Sequence, residues 1–335
     1  MNMIYAQPRS APPFPPDGVH QAVAASAIAG YADRALLVEL MLTPKPGLVD
    51  RRNCGAHRDM DIRTFLASAR AIAPWWPRLV EIGYASAHVA TREALPSVRP
   101  AGVLCEQAML RATGGVNTHK GAIFSVGLLC FAAGRLLAHG IALTRERMCR
   151  EVAGVCVGLV DQELKGAQKA QTAGERVYFR YGFTGARGEA ASAFATVRRA
   201  ALPVYDRLRL QGVCEDMALL QALLHLLAVN DDTNLVSRGG IVGLDYVRAY
   251  ARRLLWEGGA LAPDGVEKMV AFDDVLIARH LSPGGSADLL GLTWFLAQFP
   301  TVDSDFPLIV VQSEASTQIA AKEDRATTFE ALRSI

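Results

Sequence analysis

The sequence predicts an all-α protein, a single multi-helix, bundle-like domain over residues 18–300 whose interhelical loops carry the function. Three observations lead there. Apolar residues recur at every third or fourth place through runs of roughly 15 to 30 residues, the spacing of one helix face. Clusters of Gly, Pro, Asn and Asp punctuate those runs. No internal repeat and no sheet-like alternation competes, apart from one strand-like run at Leu308–Val311.

Composition sets the outer limits. The chain has 335 residues, 51% hydrophobic and 20% charged, enough apolar surface for a sizeable core. A net charge of +2 is too balanced for a nucleic-acid or membrane-surface binder, so any anion must be held by local groups. Six cysteines, Cys54, Cys105, Cys130, Cys149, Cys156 and Cys214, form no CxxC pair and mostly sit in apolar helical runs. They read as reduced thiols and not as a disulfide or zinc framework. Residues 1–17 are Pro-rich and read as a flexible arm, neither signal peptide nor anchor. No run reaches the ~18 uninterrupted apolar residues of a spanning helix, so a soluble, cytoplasmic protein without a membrane partner is expected. Residues 301–335 form a tail of different character.

The first helix spans about His20 to Leu42, with Val23, Ile28, Ala32, Leu36 and Leu40 on its apolar stripe and Glu39 in its last turns. Asp59 or Asp61 caps a second helix, about Ile62 to Thr91, kinked at Pro74 or Pro77. A connector over Pro96–Gly102 precedes a helix of about Val103 to Arg111. Gly114-Gly115 then breaks the chain before a run apolar on nearly every side, from Ala122 to Leu129, which marks a central helix. Thr144 caps a helix to about Leu164. Residues 165–188 read as irregular, with an aromatic turn around Tyr178–Tyr181. Helices follow at about Glu189–Ala200, Glu215–Val229, Leu244–Trp256 and Asp264–His280, then one capped by Ser286.

The chemistry gathers in the loops between these helices. The densest is Thr43–Met60, TPKPGLVDRRNCGAHRDM. Pro44 and Pro46 stiffen it, so that Lys45 is expected on an extended segment beside Asp50, Asn53, His57 and Asp59. Asn117, His119 and Lys120 stand at the start of the central helix, where free N–H groups and the positive end of the dipole favour an anion. The GxxxxGK[ST] spacing of a Walker loop is absent. Arg187 precedes Glu189. Asp231 and Asp232, with Asn234 and Arg238 nearby, are read at the C-terminal end of a helix. Negative charge there opposes the dipole unless a cation compensates, which points to a divalent metal or to a solvated turn. Ser282, Ser286 and Asp288 follow in the last such loop. Alternate loops of an up-and-down bundle share one end. Converged, they would offer cations for phosphates, carboxylates for Mg2+ and a group for acid–base work, the inventory for a nucleotide polyphosphate.

Five stretches in order, TPKPGLVDRRNCGAHRDMD, TGGVNTHKGAIFSVGLL, GFTGARGEAAS, NDDTNLVSRGG and LSPGGSADLL, resemble the triphosphoribosyl-dephospho-CoA synthase family. They run from about Glu39 to Leu290 and leave both termini outside. The RPAG to TGGVNTHKG stretch and WWPRLVEIG lean toward the malonate decarboxylase branch over the citrate lyase branch. The resemblance implies a transfer of triphosphoribose from ATP to 3'-dephospho-CoA with release of adenine, for the prosthetic group of an acyl carrier. It implies ATP and dephospho-CoA as substrates, Mg2+ with ATP, and a carrier transferase or acyl carrier subunit as partner. In that reading Lys45, Lys120, Arg187 and Arg238 contact phosphates. Asp50, Asn53, Asn117, Asn234, Ser282, Ser286 and Asp288 complete the substrate contacts. Asp59, Asp231 and Asp232 hold the metal, and His57, His119 or Glu189 is the acid–base group. Two other readings remain: an all-α Mg2+-dependent nucleotide or ADP-ribose hydrolase, and a helical adaptor for an acyl carrier subunit.

Overall fold

Thirteen α-helices, a few short 3-10 and π-helical turns and no strand make up the regular structure in residues 18–165, 170 and 172–301, which a computed structural model describes. They are α1 (Gly18–Met41), α2 (Ile62–Ile72), α3 (Trp75–Ala85), α4 (Leu95–Ala112), α5 (Lys120–Ala138), α6 (Arg145–Val155) and α7 (Ala173–Tyr181). There follow α8 (Gly185–Ala191), α9 (Leu202–Leu210), α10 (Glu215–Val229), α11 (Thr233–Trp256), α12 (Gly265–Ala278) and α13 (Gly284–Ala297). The expected arm at 1–17, the strand-like run at Leu308–Val311 and all but the first residue of the tail lie outside the described residues.

The all-α expectation holds, while several boundaries move. Pro74, as N-cap of α3, divides the expected 62–91 helix in two. Pro96 stands in the first turn of α4, where its missing N–H costs nothing, so the expected connector is helical from Leu95. The helix capped by Thr144 ends at Val155, and a short π-helical turn follows at Asp161–Lys165. Inside the expected irregular segment, α7 forms because Thr172 and Glu175 make a reciprocal capping box. Ala193 and Phe194, at φ 58° and 55°, break the expected 189–200 helix, and α9 follows the break. Asp61 caps α2, also in a capping box.

Helix α5 is the hub. Nearly every side chain on it is buried, and it is long and apolar enough to cross a bilayer, yet it is the core helix of this bundle. It packs on α3 almost backbone to backbone. A Cβ on Gly134 would stand 2.0 Å from the Val80 carbonyl oxygen, and one on Gly83 would stand 2.1 Å from that of Phe131. Only glycine permits that approach. Helix α5 also packs on α1 and α13, and its N-terminus borders a cleft to which the start of α11 contributes, where the polar loops meet.

Candidate active site

The opening loop is built around two carboxylates. Asp50 accepts hydrogen bonds from the backbone N–H groups of Lys45 (2.9 Å), Arg52 (2.6 Å) and Asn53 (3.2 Å). Asp273, buried on α12, accepts from Gly47 N (2.8 Å), Asn53 Nδ2 (2.7 Å) and Arg52 Nη1 (3.1 Å). Burial raises the Asp273 pKa, and its donors from Asn53 and Gly47 oppose the rise. Asp50 and Asn53 therefore shape the loop and do not line the cleft beside it. Lys45 is turned inward, fully buried and ion-paired with Glu39 of α1.

That cleft, about 320 Å³, takes a wall from each polar loop. His57, Asn117, His119, Lys120, Glu189, Asp231, Asp232, Asn234, Arg238, Ser282 and Asp288 line it, together with Glu39, Phe65 and Thr118. Lys45, Asp50, Asn53, Asp59, Arg187 and Ser286 stand outside the lining. Arg187 is tied to Glu163 (2.7 Å) and Glu175 (3.8 Å), so its charge is spent joining α8 to α7 and the turn before it. Asp59 is largely exposed, 3.7 Å from His57 Nδ1.

The Asp231–Asp232 pair has a different physical basis from the expected one. Asp232 starts a helix: it is the N-cap of α11, accepting from Asn234 N (3.0 Å) and Leu235 N (3.3 Å). The same carboxylate accepts from Gly285 N (3.3 Å), Ser286 N (2.7 Å) and Ser286 Oγ (2.9 Å) at the start of α13. One buried carboxylate thus closes two helix N-termini, the ends that favour negative charge. Burial raises its pKa, and the donors from Ser286, Leu235 and Asn234 oppose that. At the end of α10 the compensating cation is Arg248. Its Nη2 donates to Val229 O (2.9 Å) and Asn230 O (2.9 Å) and pairs with Asp231. Asp59, Asp231 and Asp232 therefore do not form one metal centre. Among the described residues, no three His, Cys, Asp or Glu side chains do.

His119, from the turn that opens α5, is buried on the cleft wall. Its Nδ1 lies 2.6 Å from Ser68 Oγ, and Ser68 Oγ accepts from Thr118 Oγ1 at 2.7 Å. With Thr118 donating, the Ser68 hydroxyl proton goes to Nδ1, and the ring proton sits on Nε2. Phe65 packs edge-on against the ring at 4.9 Å. Nε2 has no hydrogen-bond partner among the described residues. Burial, then the nearby Lys45 charge, pushes the His119 pKa down to about 3, so the imidazole is neutral at any working pH. His57 is also held neutral, by burial and by Arg238, against the opposing pull of Asp59. Arg238 Nη2 donates to His57 Nδ1 (3.1 Å), and His57 Nε2 meets Ser282 Oγ (2.8 Å), so both ring nitrogens are engaged.

Two further cleft carboxylates, besides Asp232, are perturbed upward. Asp288, the fifth residue of α13 and so past its first turn, faces the N-terminus of α5, where a Cβ on Gly121 would stand 1.9 Å from its Oδ2. Burial, then the charges of Glu39 and Asp232, raises its pKa well above the ordinary value, and a bond from Ala122 N opposes the rise. No cation among the described residues pairs with it. Glu189 accepts from Thr196 Oγ1 (2.6 Å) and Thr196 N (3.3 Å). Burial raises its pKa, and Asp231 adds to the rise. Perturbed carboxylates in one cleft fit proton transfer. Glu39, Ser68 and Thr196 were not legible as site residues, because each lies inside a helical run or follows one. The only available signal was Glu39 in the turns before the opening loop.

The model of a protein family described as ATP:dephospho-CoA triphosphoribosyl transferase (CitG) matches residues 25–305. A 2-(5''-triphosphoribosyl)-3'-dephosphocoenzyme-A synthase of Klebsiella pneumoniae is 54% identical over 85% of this chain and 95% of its own length. Enzymes of the same name from Escherichia fergusonii and Pectobacterium atrosepticum are 53% and 51% identical, over 82% and 85% of this chain and 92% and 98% of their own. No solved structure matches. With the family matched across all five polar stretches, the chain belongs to the ATP:dephospho-CoA triphosphoribosyl transferases.

Proposed function

We propose that this protein transfers the triphosphoribosyl group of ATP to 3'-dephospho-CoA and releases adenine, and that the α5 cleft is where it does so. The observation that carries the assignment of the cleft is the meeting of Asp288, Glu189 and the unpartnered His119 Nε2 on one wall system. The 2'-hydroxyl of the dephospho-CoA ribose attacks the anomeric carbon of ATP. A C–O bond forms, the C–N bond to adenine breaks, and the hydroxyl proton is lost while adenine gains one. The anomeric carbon passes through an oxocarbenium-like state, as in glycoside hydrolysis.

Glu189 accepts the hydroxyl proton, and its raised pKa makes it the stronger base for that task. Asp288 keeps its proton to higher pH than an ordinary carboxylic acid and delivers it to the departing adenine. His119 is too weak a base to be an imidazolium acid; its Nε2–H orients substrate as a neutral donor. Lys120, on the first turn of α5, and Arg238 take phosphate oxygens, Lys120 exchanging its present partner Glu106. The cleft carries five carboxylates, Glu39, Glu189, Asp231, Asp232 and Asp288, against those two cations. A triphosphate would fit there with Mg2+ as its counter-ion, which Asp231 would help to hold. Bound there, Mg2+ would supply positive charge against a triphosphate that stays intact.

The product would pass to a carrier transferase or acyl carrier subunit in the cytoplasm, in a malonate decarboxylase or citrate lyase system. The test is adenine release by the purified protein with Mg2+-ATP. Release should require dephospho-CoA, and Asp288→Asn should lower kcat by about 10² to 10⁴. Ribose triphosphate formed from ATP alone would establish a hydrolase instead.

A further inference from the structure

A second cleft, also about 320 Å³, lies between α7 and α11, lined in part by Arg176, Val177, Arg180, Tyr181, Ser237 and Gly240. We propose that it is the subsite for the diphosphate of the second substrate, dephospho-CoA; this rests on the transferase reading. Three features support it.

The first is uncommitted positive charge. Arg176 and Arg180 stand one turn apart on α7, hence on the same helix face. Both are exposed, and no carboxylate among the described residues pairs with either. Arg180 lies over the Tyr181 ring at 5.1 Å, which leaves its planar donors available at the rim. Two such guanidinium groups match a diphosphate, each able to bind two phosphate oxygens at once. In the α5 cleft, by contrast, Lys120 pairs with Glu106, and Arg238 donates to Ala56 O and His57. That cleft has cations for one polyphosphate, and the reaction brings two.

The second feature is the backbone of the far wall. Gly240, at φ 63° and ψ −167°, interrupts α11 in a conformation essentially restricted to glycine. A Cβ there would point across the cleft to Tyr181 Oη, at 4.0 Å. The bare backbone at that point keeps the cleft open between α11 and Tyr181.

The third feature is continuity. Both walls of the second cleft run on into the first. The chain leaves α7 at Tyr181 and reaches Gly185 and Ala186 in the α5 cleft, while α11 contributes Thr233, Asn234 and Arg238 to one cleft and Val236, Ser237 and Gly240 to the other. A diphosphate held by Arg176 and Arg180 would leave its own ribose to extend along α11 toward Glu189 and Asp288.

The decisive measurement is adenine release by Arg176→Ala/Arg180→Ala, with each substrate varied at saturation of the other. KM for dephospho-CoA should rise about tenfold or more, as loss of charge-assisted bonds implies, with kcat and the KM for ATP changed less than about twofold. A raised KM for ATP, or an unchanged KM for dephospho-CoA, would overturn the proposal. Calorimetric titration of dephospho-CoA into both proteins reads the subsite without turnover. Binding lost in the variant supports the subsite even if wild-type protein releases no adenine, an outcome that would count only against the transferase reading. Binding retained in the variant, or absent from both proteins, refutes the subsite. Since both arginines are exposed, the variant should fold, and its circular dichroism and Tm should match wild type.

Discussion

The two ends of α5 handle buried charge in opposite ways. At the C-terminal end Arg135 is fully buried and fully used. Its Nε binds Glu151 (2.7 Å), and its remaining nitrogens donate to Ser86 O (2.7 Å), Val89 O (2.9 Å) and Thr91 Oγ1 (3.2 Å). At the N-terminal end His119 keeps a nitrogen without a partner, and Asp288 sits among other carboxylates. One helix thus carries a satisfied network at Arg135 and an unsatisfied one at His119, 16 positions away, roughly 24 Å at the rise of an α-helix. Satisfied buried polar groups fix structure; unsatisfied ones cost stability and await a ligand. The difference separates scaffold from site without reference to any motif.

The largest expected effect breaks the scaffold end. Arg135→Met takes the guanidinium away from the Glu151 carboxylate and from the Ser86 and Val89 carbonyls, and should lower unfolding free energy by about 3–5 kcal/mol. Urea denaturation measures it. The folded fraction should retain its kcat, because nothing at this end touches the cleft. An unchanged midpoint would mean that the network is not what holds α3, α5 and α6 together.

A smaller effect sharpens the site end. Ser68→Ala removes the hydroxyl that fixes the His119 tautomer, and kcat should fall about tenfold, with KM values little changed. Ser68→Thr should restore it. In a His119→Ala background Ser68→Ala should cost nothing more, since the serine acts only through the ring. Additive losses would instead make Ser68 a packing residue.

This contrast also explains what the sequence disclosed. Helix α5, apolar on all faces, announces itself as central, and the glycine-rich loops beside it announce the cleft. The burial of Lys45 could not be read, because its partner Glu39 lies in the preceding helix and looks like an ordinary surface acid. Asp232 was assigned to the wrong helix because α10 and α11 are separated by three residues, Asn230 to Asp232. At that distance a C-terminal acid and an N-cap have the same local sequence, and only the donors from Ser286, far along the chain, distinguish them. Arg248 is the compensating cation that the two aspartates seemed to request from a metal, and it lies 17 positions from Asp231. Long-range partners decide such sites, and a single sequence does not pair them. The Thr172–Glu175 box, by contrast, is local and was legible in principle.

The smallest expected effect sets the two ends against each other on the same scale. Because burial and the charges of Glu39 and Asp232 hold the Asp288 pKa above its unfolded value near 3.8, the folded state binds that proton more tightly. The stability this confers is complete below pH 3.8 and is lost as pH rises through the folded pKa. Above pH 3.8 the unfolded chain gives up this proton more readily than the folded one, so holding an acid at this place costs stability as pH rises. Asp288→Asn keeps the acceptor for Ala122 N–H and removes the charge, so it should stabilise the protein by on the order of 1 kcal/mol at pH 7, while adenine release collapses. Near pH 4 the gain should vanish. Denaturation midpoints of the two proteins at both pH values test this. A variant less stable than wild type at pH 7 would mean that the α5 N-terminus welcomes the charge, and that Asp288 belongs with Arg135 among the residues that hold the fold.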